Sequence, residues 1–101
     1  MAEVIWTEPA LANIDDIAEY IALHNIKAAK ELVQRIFSKV ERLEEFPESG
    51  KVPIEIENLN FREVIVPPCR IFYRVKDRNV YILHVMRQER DLKNFILHIK
   101  F

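Results

Sequence analysis

The chain has 101 residues, 50% hydrophobic and 31% charged: enough apolar material for one core, too little length for two, and far from the composition of a disordered chain. Its one glycine, Gly50, excludes a glycine-rich phosphate loop, and its one cysteine, Cys69, excludes an internal disulfide. The net charge of −1 and pI near 6.3 deny it the overall positive excess typical of nucleic-acid-binding proteins, although Arg and Lys concentrate from Phe61 onward and give that half a local basic character.

Residues 3–7, rich in Val, Ile, Trp and Thr, suit a strand, with Trp6 as a core anchor. Thr7-Glu8-Pro9 then reads as a helix start with proline in the first turn. In residues 9–25, Leu11, Ile14, Ala18, Ile21 and Ala22 recur at helical spacing, opposite Asn13, Asp15, Asp16 and Glu19. Asn25 is a break and cap, and in residues 26–45 Ala29, Leu32, Val33, Ile36, Val40 and Leu43 form a second, longer stripe. So short a connection implies an antiparallel helical hairpin.

Pro47 and Gly50 close the hairpin, and residues 48–60 read as an ordered loop returning to the sheet. Three strands are expected at 61–66, 69–75 and 80–86, turned by Pro67-Pro68 and by Asp77-Arg78-Asn79. From Arg90 to the end, Leu92, Phe95, Ile96 and Ile99 fit a helix, whereas Phe95, Leu97, Ile99 and Phe101 fit a strand. Both assignments stay open.

Arginines recur through this half at Arg62, Arg70, Arg74, Arg87 and Arg90, and the plain reading of such a row is a solvated strand face. Tyr73 and Tyr81 fall in strand interiors, where packing is the expected role, and Arg74 reads as structural. Cys69 has no histidine beside it in sequence and reads as a small inert residue. His24, His84 and His98 lack metal-ligand spacing, and Asp15-Asp16 and Glu44-Glu45 occupy consecutive helix positions that do not face each other. No metal or other cofactor is expected. With no long apolar run and no disulfide framework, neither a membrane span nor secretion is expected, and cytoplasmic residence is.

Several segments, taken in order, carry a family likeness. They are Trp6-Thr7-Glu8-Pro9-Ala10-Leu11-Ala12-Asn13-Ile14-Asp15-Asp16-Ile17-Ala18-Glu19-Tyr20-Ile21-Ala22, Lys27-Ala28-Ala29, the pair Pro47 and Gly50, Phe61-Arg62-Glu63-Val64, and Cys69-Arg70-Ile71-Phe72-Tyr73-Arg74-Val75 with residues 80–91. The chain resembles the RelE/ParE toxins of bacterial type II toxin–antitoxin pairs. The resemblance implies one α+β domain over residues 1–101, a small twisted antiparallel sheet with the N-terminal helical hairpin on one face. RelE-like members cut messenger RNA on the ribosome, ParE-like members poison DNA gyrase, and the N-terminal helix pattern looks more like ParE.

Metal-free RNA cleavage needs a base, an acid and cations for the developing phosphorane charge. By the resemblance, Arg62, Arg70 and Arg87 match basic positions of a ribonuclease site. Val64 stands where a second basic residue is expected, and Asn94 and Phe95 where a tyrosine is needed. The expectation is therefore a ParE-like toxin that binds and poisons gyrase and is neutralised by a cognate antitoxin in a hetero-oligomer. The alternatives are a RelE-like ribosome-dependent endoribonuclease acting through Arg62, Arg70 and Arg87, or a non-toxic module that only binds antitoxin. Partner contacts are expected at Arg87, Arg90, Phe95, Ile96 and Ile99, because an apolar tail needs cover.

Overall fold

The computed structural model describes residues 1–56 and 59–89. Strand β1 (Glu3–Trp6) is followed by helices α1 (Glu8–Ala22) and α2 (Ile26–Glu41), then by strands β2 (Arg62–Val66), β3 (Cys69–Lys76) and β4 (Asn79–Arg87). Short 3₁₀ turns at Arg42–Glu44 and Ile54–Ile56 punctuate the long connection between α2 and β2. The tail from Arg90 onward, whose conformation the sequence leaves open, lies outside the described residues.

Both helices begin where a side-chain oxygen relieves unpaired amides of the first turn. Thr7 accepts from the Ala10 amide at 3.4 Å and Asn25 from the Ala28 amide at 3.0 Å. The apolar stripes of both helices then face the sheet, except that Leu11, counted in the α1 stripe, is 41% exposed and Ala10 is buried in its place. Ala10 and Ile14 of α1, and Leu32, Ile36 and Val40 of α2 with Leu43 just beyond it, close over Val64, Val66, Ile71, Tyr73, Val80, Ile82 and Val85.

The sheet runs β1-β4-β3-β2. It is mixed rather than antiparallel throughout, because β1 pairs parallel with β4, Glu3 opposite Asn79 and Trp6 opposite Ile82. Connectivity explains this. The antiparallel helices and the long connection after α2 bring the chain back to the end where β1 started, so β2 runs in the direction of β1. Two tight hairpins then reverse it twice and lay β4 alongside β1.

The β2–β3 hairpin turns at Pro67-Pro68, joined by a cis peptide bond. The β3–β4 hairpin turns at Asp77 and Arg78, with φ of 51° and 67°, the primed turn that matches strand twist. Between Phe72 opposite His84 and Tyr73 opposite Ile82 the register slips, leaving Leu83 as an extra residue in β4. Beyond Ile82 the chain of β1 has already turned into α1, so β4 has no outer strand neighbour there among the described residues. Thr7 meets the Ile82 carbonyl with both its amide (3.2 Å) and its hydroxyl (2.7 Å). Asn13 Oδ1 then accepts from the Val85 amide at 3.1 Å, so a helix side chain replaces the missing strand.

Candidate functional site

Strand alternation and register place the three candidate arginines. Arg62, opposite Tyr73, shares the helix-covered face with Val64 and Val66. Arg70, opposite Ile65 on one side and Met86 on the other, points to the opposite face. Arg87, opposite Cys69, is again on the helix side, at the far end of β4. They do not meet at one point.

Each is also engaged within the chain. Arg62 donates through Nη1 to the Gly50 carbonyl at 2.9 Å. Arg70, 8% exposed, donates through Nε and Nη2 to the two oxygens of Glu63, both at 2.9 Å. It reaches Glu55 through Nη1 at 2.8 Å and Nη2 at 3.1 Å. These hydrogen bonds to Glu63 and then Glu55 hold its guanidinium firmly in the charged form. Arg87 donates through Nε to Glu89 at 2.8 Å and lies over the Tyr20 ring of α1 at 5.9 Å. Arg74, read as structural, lies 5.6 Å above the Phe61 ring.

The carboxylates that hold Arg70 were not singled out as site residues from the sequence. One signal was available: Glu63 and Arg70 flank a two-residue turn at offsets that put them diagonally across a hairpin on one face. Glu55 comes from the long connection, and nothing in the sequence announces its approach.

The remaining candidates behave as packing residues. Cys69 is fully buried, and burial pushes its thiol above the ordinary cysteine value despite the nearby positive charge of Arg87. Tyr73 is fully buried, and its hydroxyl accepts from the Gly50 amide at 2.9 Å and donates to the Pro47 carbonyl at 2.8 Å. Val64, standing where a further basic residue was expected, is core. Trp6 packs against the core, its ring centroid 4.7 Å from that of Phe37 with the two planes tilted by 46°. Burial lowers the pKa of His84 to about 4, so the imidazole is neutral near pH 7 and supplies no positive charge. Among the described residues no group of three or more His, Cys, Asp and Glu side chains is placed to hold a metal ion. No helix among them is long and apolar enough to cross a membrane. Arg90, Phe95, Ile96 and Ile99, expected as partner contacts, lie outside the described residues, as does Asn94.

A second feature is apolar. A groove of about 480 Å³ runs along the helical hairpin between α1 and α2, floored by Ala18, Ala22, Ala29 and Val33 with Ile26 at its end. Ile26, at that end, is 63% exposed.

A helical hairpin on one face of a four-stranded sheet is the architecture of RelE/ParE toxins, and solved structures share it. One, described as the chromosomal ParDE toxin–antitoxin system from P. aeruginosa, is 28% identical, with 88% of this chain and 98% of that chain covered and a TM-score of 0.75. Another, the toxin–antitoxin complex RelBE2 from Mycobacterium tuberculosis, shares the fold at 21% identity, covering 86% of this chain and 98% of that one at a TM-score of 0.56. In sequence, the toxin RelE2 of Caulobacter vibrioides is 35% identical over 91 residues, 89% of this chain and 99% of that protein. The model of the ParE toxin of the type II toxin–antitoxin system parDE matches residues 4–92. The chain belongs to this ParE toxin family.

Proposed function

We propose that this toxin acts as a gyrase poison: it binds bacterial DNA gyrase on DNA, makes and breaks no covalent bond itself, and is silenced by a cognate antitoxin. The observation that carries this reading is the dispersal of Arg62, Arg70 and Arg87. Stabilising a phosphorane requires cations aimed at one developing charge. Here Arg70 points to the sheet face opposite the other two, and Glu63 and Glu55 already occupy its guanidinium. Family membership supports the toxin role. The apolar groove of the hairpin fits an amphipathic antitoxin helix, since a helix laid in such a groove covers Ala18, Ala22, Val33 and the exposed Ile26.

The test is a plasmid supercoiling assay with purified gyrase, ATP and graded toxin, scoring both lost supercoiling and accumulated cleaved DNA. Cleaved complexes that rise with toxin and vanish on adding antitoxin are expected. Full supercoiling at saturating, folded protein would overturn the reading and direct the search to ribosome-bound messenger RNA.

A further inference from the structure

Three cations with no carboxylate partner among the described residues lie together elsewhere. Among the described residues, the ion pairs involve Lys27, Arg70 and Arg87. Arg35, Lys39 and Arg42 form a row on α2 and its C-cap, with no acid attached among the described residues. At 100° and 1.5 Å per residue, positions 35, 39 and 42 fall within about 60° of arc and about 10 Å of length. All three are exposed. They line one wall of an open groove of about 640 Å³ whose other wall is the β2 edge at Ile65 and Val66. Among the described residues Glu31 is the one acid in this lining, and it lies 4.0 Å from Lys27.

Three further observations give the groove a chemistry. Arg35 is pinned across it, donating through Nη1 to the Pro67 carbonyl at 3.0 Å, which fixes one charge at its mouth. Ser38 lines the same wall. At the other end Lys39 and Arg42 continue into a second hollow bordered by Phe46, a residue 58% exposed. A row of unpaired cations ending in an exposed aromatic ring is the arrangement that binds single-stranded nucleic acid, with phosphates on the cations and a base stacked on the ring.

The geometry points to this α2–β2 groove as a binding surface for a single-stranded polynucleotide segment, separate from Arg62, Arg70 and Arg87. An acidic polypeptide would satisfy the cations but would leave the aromatic end without its stacking partner. The inference goes beyond the gyrase reading and is tested with no gyrase present, so the two fail separately.

The experiment is fluorescence anisotropy of the full chain with labelled 15-nucleotide oligo-dT and oligo-rU between 50 and 200 mM salt. Replacing Arg35, Lys39 and Arg42 together by Gln keeps good helix formers on the surface, with folding checked by circular dichroism. At about 0.7 per phosphate contact on single strands, this should lower the slope of log K against log salt by about 2 and the affinity at least tenfold. Phe46→Ala should weaken binding severalfold with the slope unchanged, since stacking releases no counterion. Whichever of dT and rU binds tighter identifies DNA or RNA as the source of the strand. The proposal is overturned by no binding at 50 mM salt or by an unchanged slope in the groove variant. An equal loss when Lys27, Lys30 and Lys76 are replaced by Gln, tighter binding of duplex DNA, or equally effective competition by polyglutamate would also overturn it.

Discussion

Arg70 and Glu63 form a bidentate ion pair diagonally across the β2–β3 hairpin, with both N–O distances at 2.9 Å and both side chains at most 10% exposed. Glu55 closes the other side of the guanidinium at 2.8 Å, so the pair fastens the long α2–β2 connection to the sheet. Arg70→Ala leaves two carboxylates without their counter-ion on a covered surface, and a cost of about 3–5 kcal/mol is expected. Urea denaturation of the variant would measure it. Replacing Arg70 and Glu63 together by Met and Leu should recover part of that loss, because the apolar pair needs no counter-charge.

Gly50 is required for a different reason. A Cβ built there would meet Tyr73 Oη at 2.5 Å, the Glu63 carbonyl at 2.7 Å and Tyr73 Cε1 at 2.7 Å. Two of these atoms belong to a fully buried ring and one to backbone, so neither yields cheaply. Gly50→Ala is expected to cost roughly 1–3 kcal/mol through overpacking. Tyr73→Phe should cost roughly 1–3 kcal/mol through the unmet Gly50 amide and Pro47 carbonyl. Thermal melts of the two single variants and the double would test their coupling: losses clearly less than additive are expected, since both act on one contact.

Asn13 stands in for a strand at Val85. Asn13→Ala leaves the Val85 amide without its acceptor, at an expected cost of about 1–3 kcal/mol. Amide hydrogen exchange provides the specific readout. Protection of Val85 should fall more than that of Ile82, whose carbonyl environment is held by Thr7.

Arg78 holds a left-handed backbone conformation, φ 67°, in the β3–β4 turn. A side chain there costs roughly 1 kcal/mol that glycine avoids. Arg78→Gly should therefore raise the melting temperature by about 4–8 °C per kcal/mol for a domain of this size. An unchanged or lower melting temperature would mean that the Arg78 side chain or the extra freedom of glycine in the unfolded chain outweighs the relief of strain.

His84 sets a pH dependence of known sign. Its pKa falls from 6.5 to about 4 on burial, so above pH 6.5 it is neutral in both folded and unfolded chains. Between pH 6.5 and 4 the unfolded chain takes up a proton that the folded chain does not, so stability falls with pH across that window, by roughly 1–3 kcal/mol. Below pH 4 both forms are protonated and this group contributes no further loss. His84→Gln should flatten the stability profile across this window, read by denaturant titrations at pH 7, 5.5 and 4.5.

The amino-acid sequence determined what depends on neighbours in the chain. Both helices were legible from three-and-four spacing, with their caps at Thr7 and Asn25, because a helix is built from contacts within one or two turns. The two hairpin turns were legible from Pro67-Pro68 and Asp77-Arg78-Asn79, since proline, aspartate and asparagine favour turns locally, but the left-handed conformation of Arg78 was not. The family likeness followed from the order of these local patterns. The candidate site was legible only as a set of arginine positions. The tertiary structure alone decided that β1 lies parallel to β4, that Glu55 reaches Arg70 across 15 positions, and that Arg62 and Arg70 take opposite faces. It also decided that Asn13 serves Val85 across 72 positions. Ion pairs and sheet edges of this kind join residues far apart in the chain, and their partners are chosen by how the layers pack rather than by the residues beside them.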